Sequence, residues 1–211
     1  MSGLAQSVID TALTMSESGL SAGRSGNVSV RDGDRVLITP TGMAYEDLVP
    51  ADIVSMGLDG SVAPESRKPS SEWHFHAAIY AARDDVSAIV HTHSNAATAL
   101  ACLEVGIPAF HYMVAAAGGM DIRCAPYATF GTEELATFAV AALEGRTACL
   151  LAHHGVIACG SSLGQAYELA VEVETLADQF GRARQLGEVP LLSEAEMQRV
   201  LEKFSGYGQQ V

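Results

Sequence analysis

The chain has 211 residues, 48% of them hydrophobic and 18% charged, a globular composition long enough to bury a core without staples. Twelve basic and 25 acidic side chains leave a formal charge of −13, which argues against broad nucleic-acid or anionic-membrane binding but leaves room for a small anion held by local donors. The N-terminal run Met1–Ile9 lacks the positive charge of a secretory signal, no uncharged apolar stretch reaches the ~18 residues of a membrane span, and the four cysteines form no C-x-x-C pair. These features predict a cytoplasmic chain with free or buried thiols, organised as one domain over residues 1–211.

Leu4, Val8, Ile9, Ala12, Leu13 and Met15 fall at helical spacing, and Gly19 ends the run. Ser21 to Asn27 reads as a loop. Val28–Arg31 and Arg35–Thr39 flank Asp32-Gly33-Asp34 as a hairpin. Pro40-Thr41-Gly42 is a turn, and Ile53–Leu58 a further strand. Ser70 and Ser71 are expected to cap a helix reaching Arg83. Val86–Val90 is a buried strand that runs into His91-Thr92-His93, and Asn95–Leu103 is helical. Residues 107–131 read as irregular. Glu133–Leu143 is helix, Ala148–Ala152 and Val156–Cys159 are strands, Ser162–Gln185 is a long helix, and a short helix lies near 193–204. Hairpin-like strands with helices in blocks predict an α/β layered fold with a largely antiparallel sheet.

All seven histidines lie between positions 74 and 154. At a strand end, His91 and His93 leave on one face, because side chains alternate with a period of two. They are either polar strand-end residues or half of a metal site. His153-His154-Gly155 sits between two strand-like runs and offers a further nitrogen, giving three ligands and an open position, as in catalytic zinc sites. His74 and His76 lie on a predicted helix, where a spacing of two turns them about 200° apart and prevents joint chelation. His76 therefore reads as a core residue or as one lying behind the ligands.

Glu72 has two readings. At a helix start its charge complements the helix dipole, and beside a metal it serves as ligand or general base. Ser70 and Ser71 either cap the helix or hold a phosphate at its N-terminus. Gly26-Asn27 and Thr41-Gly42 are turns that also suit an anion-binding loop. Lys68 and Lys203 are the only lysines and stand in polar surroundings, which argues against Schiff-base chemistry.

Taken in order, several segments resemble the class II aldolase/adducin family: Ser25-Gly26-Asn27-Val28-Ser29-Val30, Ile38-Thr39-Pro40-Thr41-Gly42, Pro69-Ser70-Ser71-Glu72-Trp73, Val90-His91-Thr92-His93, His111-Tyr112-Met113, Cys124-Ala125-Pro126-Tyr127 and His153-His154-Gly155. The resemblance runs nearly end to end and includes the tail through Tyr207. It implies a three-layer α/β/α subunit with a central, mostly antiparallel sheet, assembled as a homotetramer with active sites between subunits. It implies zinc-dependent cleavage of a ketose 1-phosphate, of the L-fuculose 1-phosphate type, to dihydroxyacetone phosphate and an aldehyde. An aldolase for 5-deoxyribulose 1-phosphate or 5-methylthioribulose 1-phosphate is the alternative, followed by a pentulose-5-phosphate 4-epimerase.

By the same resemblance, His91, His93 and His154 match the zinc ligands. Glu72 matches a carboxylate that ligates the metal and then acts as acid/base. Asn27, Thr41, Gly42, Ser70 and Ser71 match the phosphate pocket. Tyr112 matches a tyrosine that reaches the neighbouring subunit's site and serves the aldehyde oxygen, while Gly26, Phe130 and Tyr207 match the substrate pocket. Arg24 departs from the small hydroxyl residue usual there, and either adds charge near the phosphate or points to solvent. A non-catalytic, adducin-like binding module is disfavoured because three histidines and Glu72 are all present.

Overall fold

The structure, a computed structural model, describes residues 2–204 and 206. Seven strands form one sheet: β1 (Asn27–Asp32), β2 (Arg35–Ile38), β3 (Val54–Gly57), β4 (Ala88–Thr92), β5 (Arg123–Ala125), β6 (Ala148–Leu151) and β7 (Gly155–Gly160). Their order across the sheet is β3-β2-β1-β4-β7-β6-β5. Every neighbouring pair is antiparallel except β5 with β6. Parallel neighbours need a crossover, and helix α4 (Glu133–Ala142) supplies it. The expected architecture is therefore present, with one parallel edge pair that the irregular-looking stretch 107–131 conceals.

Alternation along the strands divides the core. Val28 and Val30 of β1, with Ala88 and Val90 of β4, pack with α1 (Ser2–Glu17) and α5 (Leu163–Leu186). Ile89 of β4, with Cys149, Leu151, Ile157 and Cys159, packs on the opposite face with α2 (Trp73–Ala82) and α4. Helices α3 (Asn95–Ala101) and α6 (Glu194–Phe204) enclose a further apolar cluster with α5. On that alternation, Asn27 and Ser29 of β1 and His91 of β4 face α2 rather than the α1–α5 layer.

Among the described residues, three α-helix starts use side-chain caps, Ser193 Oγ accepting from Glu196 N at the start of α6 (Glu194–Phe204). The Thr132 hydroxyl accepts from Leu135 N before α4, and that of Ser162 accepts from Gln165 N before α5. Helix α2 does not start where Ser70 and Ser71 suggest. Its N-cap is Glu72, and that side chain makes no capping bond. Ser70 Oγ instead accepts from Glu72 N at 3.3 Å in the turn before the helix. A carboxylate at a helix start ordinarily serves its own helix, but this one turns toward the sheet. All four cysteines are free thiols.

Candidate metal centre and substrate pocket

The β1–β4 register sets Asn27 opposite His91 at one end of the sheet. His93 follows two residues beyond His91, and the Nε2 atoms of the two rings are 2.9 Å apart, as alternation predicts. His154 enters from the tight turn between β6 and β7. There His153 adopts a left-handed φ of +54°, which histidine tolerates better than most non-glycine residues. Gly155 follows because a Cβ there would collide with Thr92 O. Glu72 completes the group from the start of α2: its Oε2 lies 3.1 Å from His91 Nε2 and its Oε1 2.9 Å from His154 Nε2.

Four ligand atoms, one from each of these residues, lie within 4.8 Å of one another. Their protons show what the arrangement lacks. His91 Nδ1 donates to Val156 O at 2.8 Å, so in the neutral ring Nε2 carries a lone pair. That lone pair faces His93 Nε2 and the Glu72 carboxylate. Glu72 Oε1 is buried and accepts no hydrogen bond. Electron-rich atoms packed this tightly without protons to share fit a divalent cation, and three nitrogens with a carboxylate suit one. The bond to Val156 O is also the kind that orients a metal-bound imidazole.

Burial and the neighbouring imidazoles push the His93 pKa down to about 3, which keeps its ring neutral. Burial works to raise the Glu72 pKa, but His91 and His154 beside it outweigh that and hold its carboxyl well below the usual range. The pocket thus carries an ionised carboxylate set directly against the His91 and His154 imidazoles.

A cleft of ≈ 320 Å³ opens over this group. Its walls include Gly26, Asn27, Thr41, Gly42, Ser70, Ser71, Glu72, His93, Phe130 and His154, so the residues expected at the phosphate, with Gly26 and Phe130, line one cleft beside the candidate metal ligands. Arg24, Met43, Tyr45, Tyr127 and His153 also line the cleft. Arg24 Nη1 donates to Gly42 O at 2.8 Å, so its guanidinium bridges the two small-residue loops. The Tyr45 hydroxyl donates to Gly26 O. No sequence signal marks Tyr45, whereas Arg24 stands out as a departure from the resembled pattern. Close approach explains Gly26: a Cβ there would lie 2.7 Å from His91 O.

Tyr112 does not reach the cleft of its own chain. It is 51% exposed at the start of the 3-10 helix Tyr112–Ala117. It lines a separate groove with Phe110, Met113, Leu192 and Arg199. Tyr207 lies outside the described residues. Lys68 is exposed and absent from the cleft, and Lys203 lines the separate groove.

The sequence pattern of the family described as Class II Aldolase and Adducin N-terminal domain matches residues 6–180. The 5-methylthioribulose-1-phosphate/5-deoxyribulose-1-phosphate aldolase of Rhodospirillum rubrum is 56% identical over 205 residues, covering 97% of this chain and 92% of that protein. The L-fuculose phosphate aldolase of Escherichia coli K12 is 50% identical over 206 residues, covering 97% and 95%. A solved structure of an L-fuculose 1-phosphate aldolase superposes with a TM-score of 0.94 at 42% identity, covering 97% of each chain.

Proposed function

The chain belongs to the class II aldolase/adducin family, and from that membership we propose that it is a zinc-dependent aldolase that cleaves a ketose 1-phosphate of the L-fuculose type to dihydroxyacetone phosphate and an aldehyde. The observation that carries the reading is the Glu72, His91, His93 and His154 cluster at a cleft walled by amide and hydroxyl donors and Arg24.

Zinc, held by the three imidazoles and by Glu72 at rest, would supply Lewis-acid polarisation of the substrate carbonyl. Asn27, Thr41, Ser70 and Ser71 hold the phosphate through amide and hydroxyl donors, with Gly42 allowing close backbone approach. The C4 hydroxyl gives up its proton as the C3–C4 bond breaks, and the bonding pair passes to C3. The proton released at C4 passes through Tyr112 and solvent to Glu72, which delivers a proton to C3 and completes dihydroxyacetone phosphate; the synthetic direction runs the same transfers in reverse. Tyr112 of a neighbouring copy exchanges the proton of the aldehyde oxygen. The sites lie between subunits of a homotetramer in the cytoplasm.

A second reading is favoured by the Rhodospirillum rubrum relative, whose 56% identity exceeds the 50% of the Escherichia coli K12 protein. In it the substrate is a 5-deoxypentulose or 5-methylthiopentulose 1-phosphate. Met43, Tyr127, Ala128 and Phe130 at the cleft offer the apolar surface such a tail needs. A coupled assay for dihydroxyacetone phosphate with the three substrates separates the readings by the ranking of kcat/KM. Highest efficiency with L-fuculose 1-phosphate supports the first, and highest efficiency with a 5-deoxy or 5-methylthio substrate supports the second. An active epimerase that releases no dihydroxyacetone phosphate overturns both.

Two further outcomes are expected. Arg24 is the only arginine or lysine lining the cleft among the described residues. Arg24→Ala therefore raises KM and the inhibition constant of inorganic phosphate together by about tenfold, with kcat changed much less. A Ki for phosphate equal to the parent's removes Arg24 from phosphate binding. Tyr112→Phe lowers kcat by roughly 10²-fold or more while phosphate still inhibits normally. Equal mixing of the inactive Tyr112→Phe and Glu72→Gln chains rebuilds about a quarter of the sites if each is shared between neighbours. A mixture no more active than its components contradicts a shared site.

A further inference from the structure

Behind the cleft a row of hydrogen bonds runs through the core and ends on Glu72. The Tyr80 hydroxyl lies 2.9 Å from Ser29 Oγ, and Ser29 Oγ lies 2.7 Å from His76 Nδ1. His76 Nε2 lies 2.5 Å from Asn27 Oδ1, and Asn27 Nδ2 donates to Glu72 Oε2 at 3.0 Å. All five residues are buried: Tyr80 is 1% exposed, Ser29 and His76 0%, Asn27 3% and Glu72 6%. They sit beside Phe75, Ile79 and Ile89, where apolar side chains would pack with no polar group to satisfy.

Chemistry fixes the direction of every link. The carboxylate of Glu72 only accepts, so the Asn27 amide nitrogen faces it and Oδ1 faces His76. Oδ1 only accepts, so His76 Nε2 carries the ring proton. The neutral ring then accepts at Nδ1 from the Ser29 hydroxyl. With that proton committed, the Tyr80 hydroxyl donates to Ser29 Oγ. Four donors point one way, toward the carboxylate, and aligned donors polarise one another in a buried chain.

We infer that His76 is a positioning residue for the reaction: by donating from Nε2 it locks the Asn27 carboxamide with Nδ2 on Glu72 Oε2, and so fixes the carboxylate that exchanges the substrate proton. Without this donor Asn27 Oδ1 is left buried without its partner, and the carboxamide keeps only its bond to Glu72, so its plane is no longer fixed from both ends. The inference rests on the acid/base role proposed for Glu72, and it adds the residue that holds Glu72 in place.

The test compares the full-length parent, His76→Phe and His76→Gln. Phenylalanine keeps a buried ring without donor or acceptor, and the glutamine amide restores a donor near the position of Nε2. One readout needs no catalysis: in ¹⁵N-labelled protein, the Asn27 side-chain amide protons should show slow solvent exchange in the parent and in His76→Gln, and fast exchange in His76→Phe. The other is steady-state cleavage with saturating zinc and metal content measured. Phenylalanine should lower kcat by about 10–100-fold, while glutamine recovers most of the loss.

Protected Asn27 amide protons in His76→Phe, or an unchanged kcat in that variant, would overturn the inference. So would a folded, metal-loaded His76→Gln that behaves like the phenylalanine variant in both readouts. A parent that releases no dihydroxyacetone phosphate refutes the aldolase reading, while the amide readout still decides whether His76 positions Asn27.

Discussion

Replacing His93 by alanine removes bound metal and aldol cleavage together. His93 is the ligand whose loss can be interpreted most directly. His91 is fully buried and bonded to Val156 O, so its removal would also disturb the sheet. His93 lies just past the end of β4 and is half-buried, and its Nε2 atom faces His91 Nε2. Alanine there leaves the β4 ladder pairs intact, and the circular dichroism spectrum should not change. The loss of Lewis-acid stabilisation is worth several kcal/mol. About 4 kcal/mol corresponds to roughly 10³-fold in rate, so kcat/KM should fall by that factor or more as metal content drops toward zero. A His93→Ala protein that keeps one metal ion per chain and near-parent activity removes His93 from the ligand set.

Glu72→Gln should do the reverse: metal stays largely bound while turnover collapses. Three imidazoles still hold the ion, and the amide matches the carboxylate in shape but cannot carry a proton back and forth. General acid–base catalysis contributes about 10²–10⁴-fold, and kcat is expected to fall by that factor. The fold should survive. Glu72 is 6% exposed, and a neutral amide there avoids the desolvation that a buried charge suffers, so the melting temperature should stay near the parent's. Measured turnover near the parent's at full metal content would refute the acid/base assignment. A parallel loss of metal and activity would make Glu72 chiefly a ligand.

The two variants rest on features that differ in how far the sequence discloses them. The His91–His93 pair was legible because a period of two is a property of any strand, and the rings do meet. His154 was legible through the turn residue Gly155, and the segments around Asn27, Thr41, Ser70, His93, Tyr127 and His154 meet at one cleft, whereas His111-Tyr112-Met113 lines a separate groove. The start of α2 was misread. Ser70 and Ser71 have the chemistry of caps, and nothing local says that a turn comes first and that Glu72, not a serine, takes the N-cap position while its carboxylate points to the sheet. Tertiary attraction to His91 and His154 overrides the local preference. The short β5 strand was hidden for a related reason: three residues of parallel edge carry no alternation to detect. The row from Tyr80 to Glu72 joins residues 45 to 51 positions apart, and only the β1–α2 packing brings them together. For His76 the sequence supplied a core residue or one lying behind the ligands, and the structure buries it fully, joined to Glu72 through Asn27.

The most direct test of the central claim measures dihydroxyacetone phosphate release from L-fuculose 1-phosphate, 5-deoxyribulose 1-phosphate and 5-methylthioribulose 1-phosphate by the parent protein. It is made before chelation, after chelation, and after zinc is returned at one equivalent per chain. The account predicts release from at least one substrate, its loss on chelation and its recovery with zinc. Release that persists in metal-free protein, or no release from any of the three at full metal loading, would contradict it.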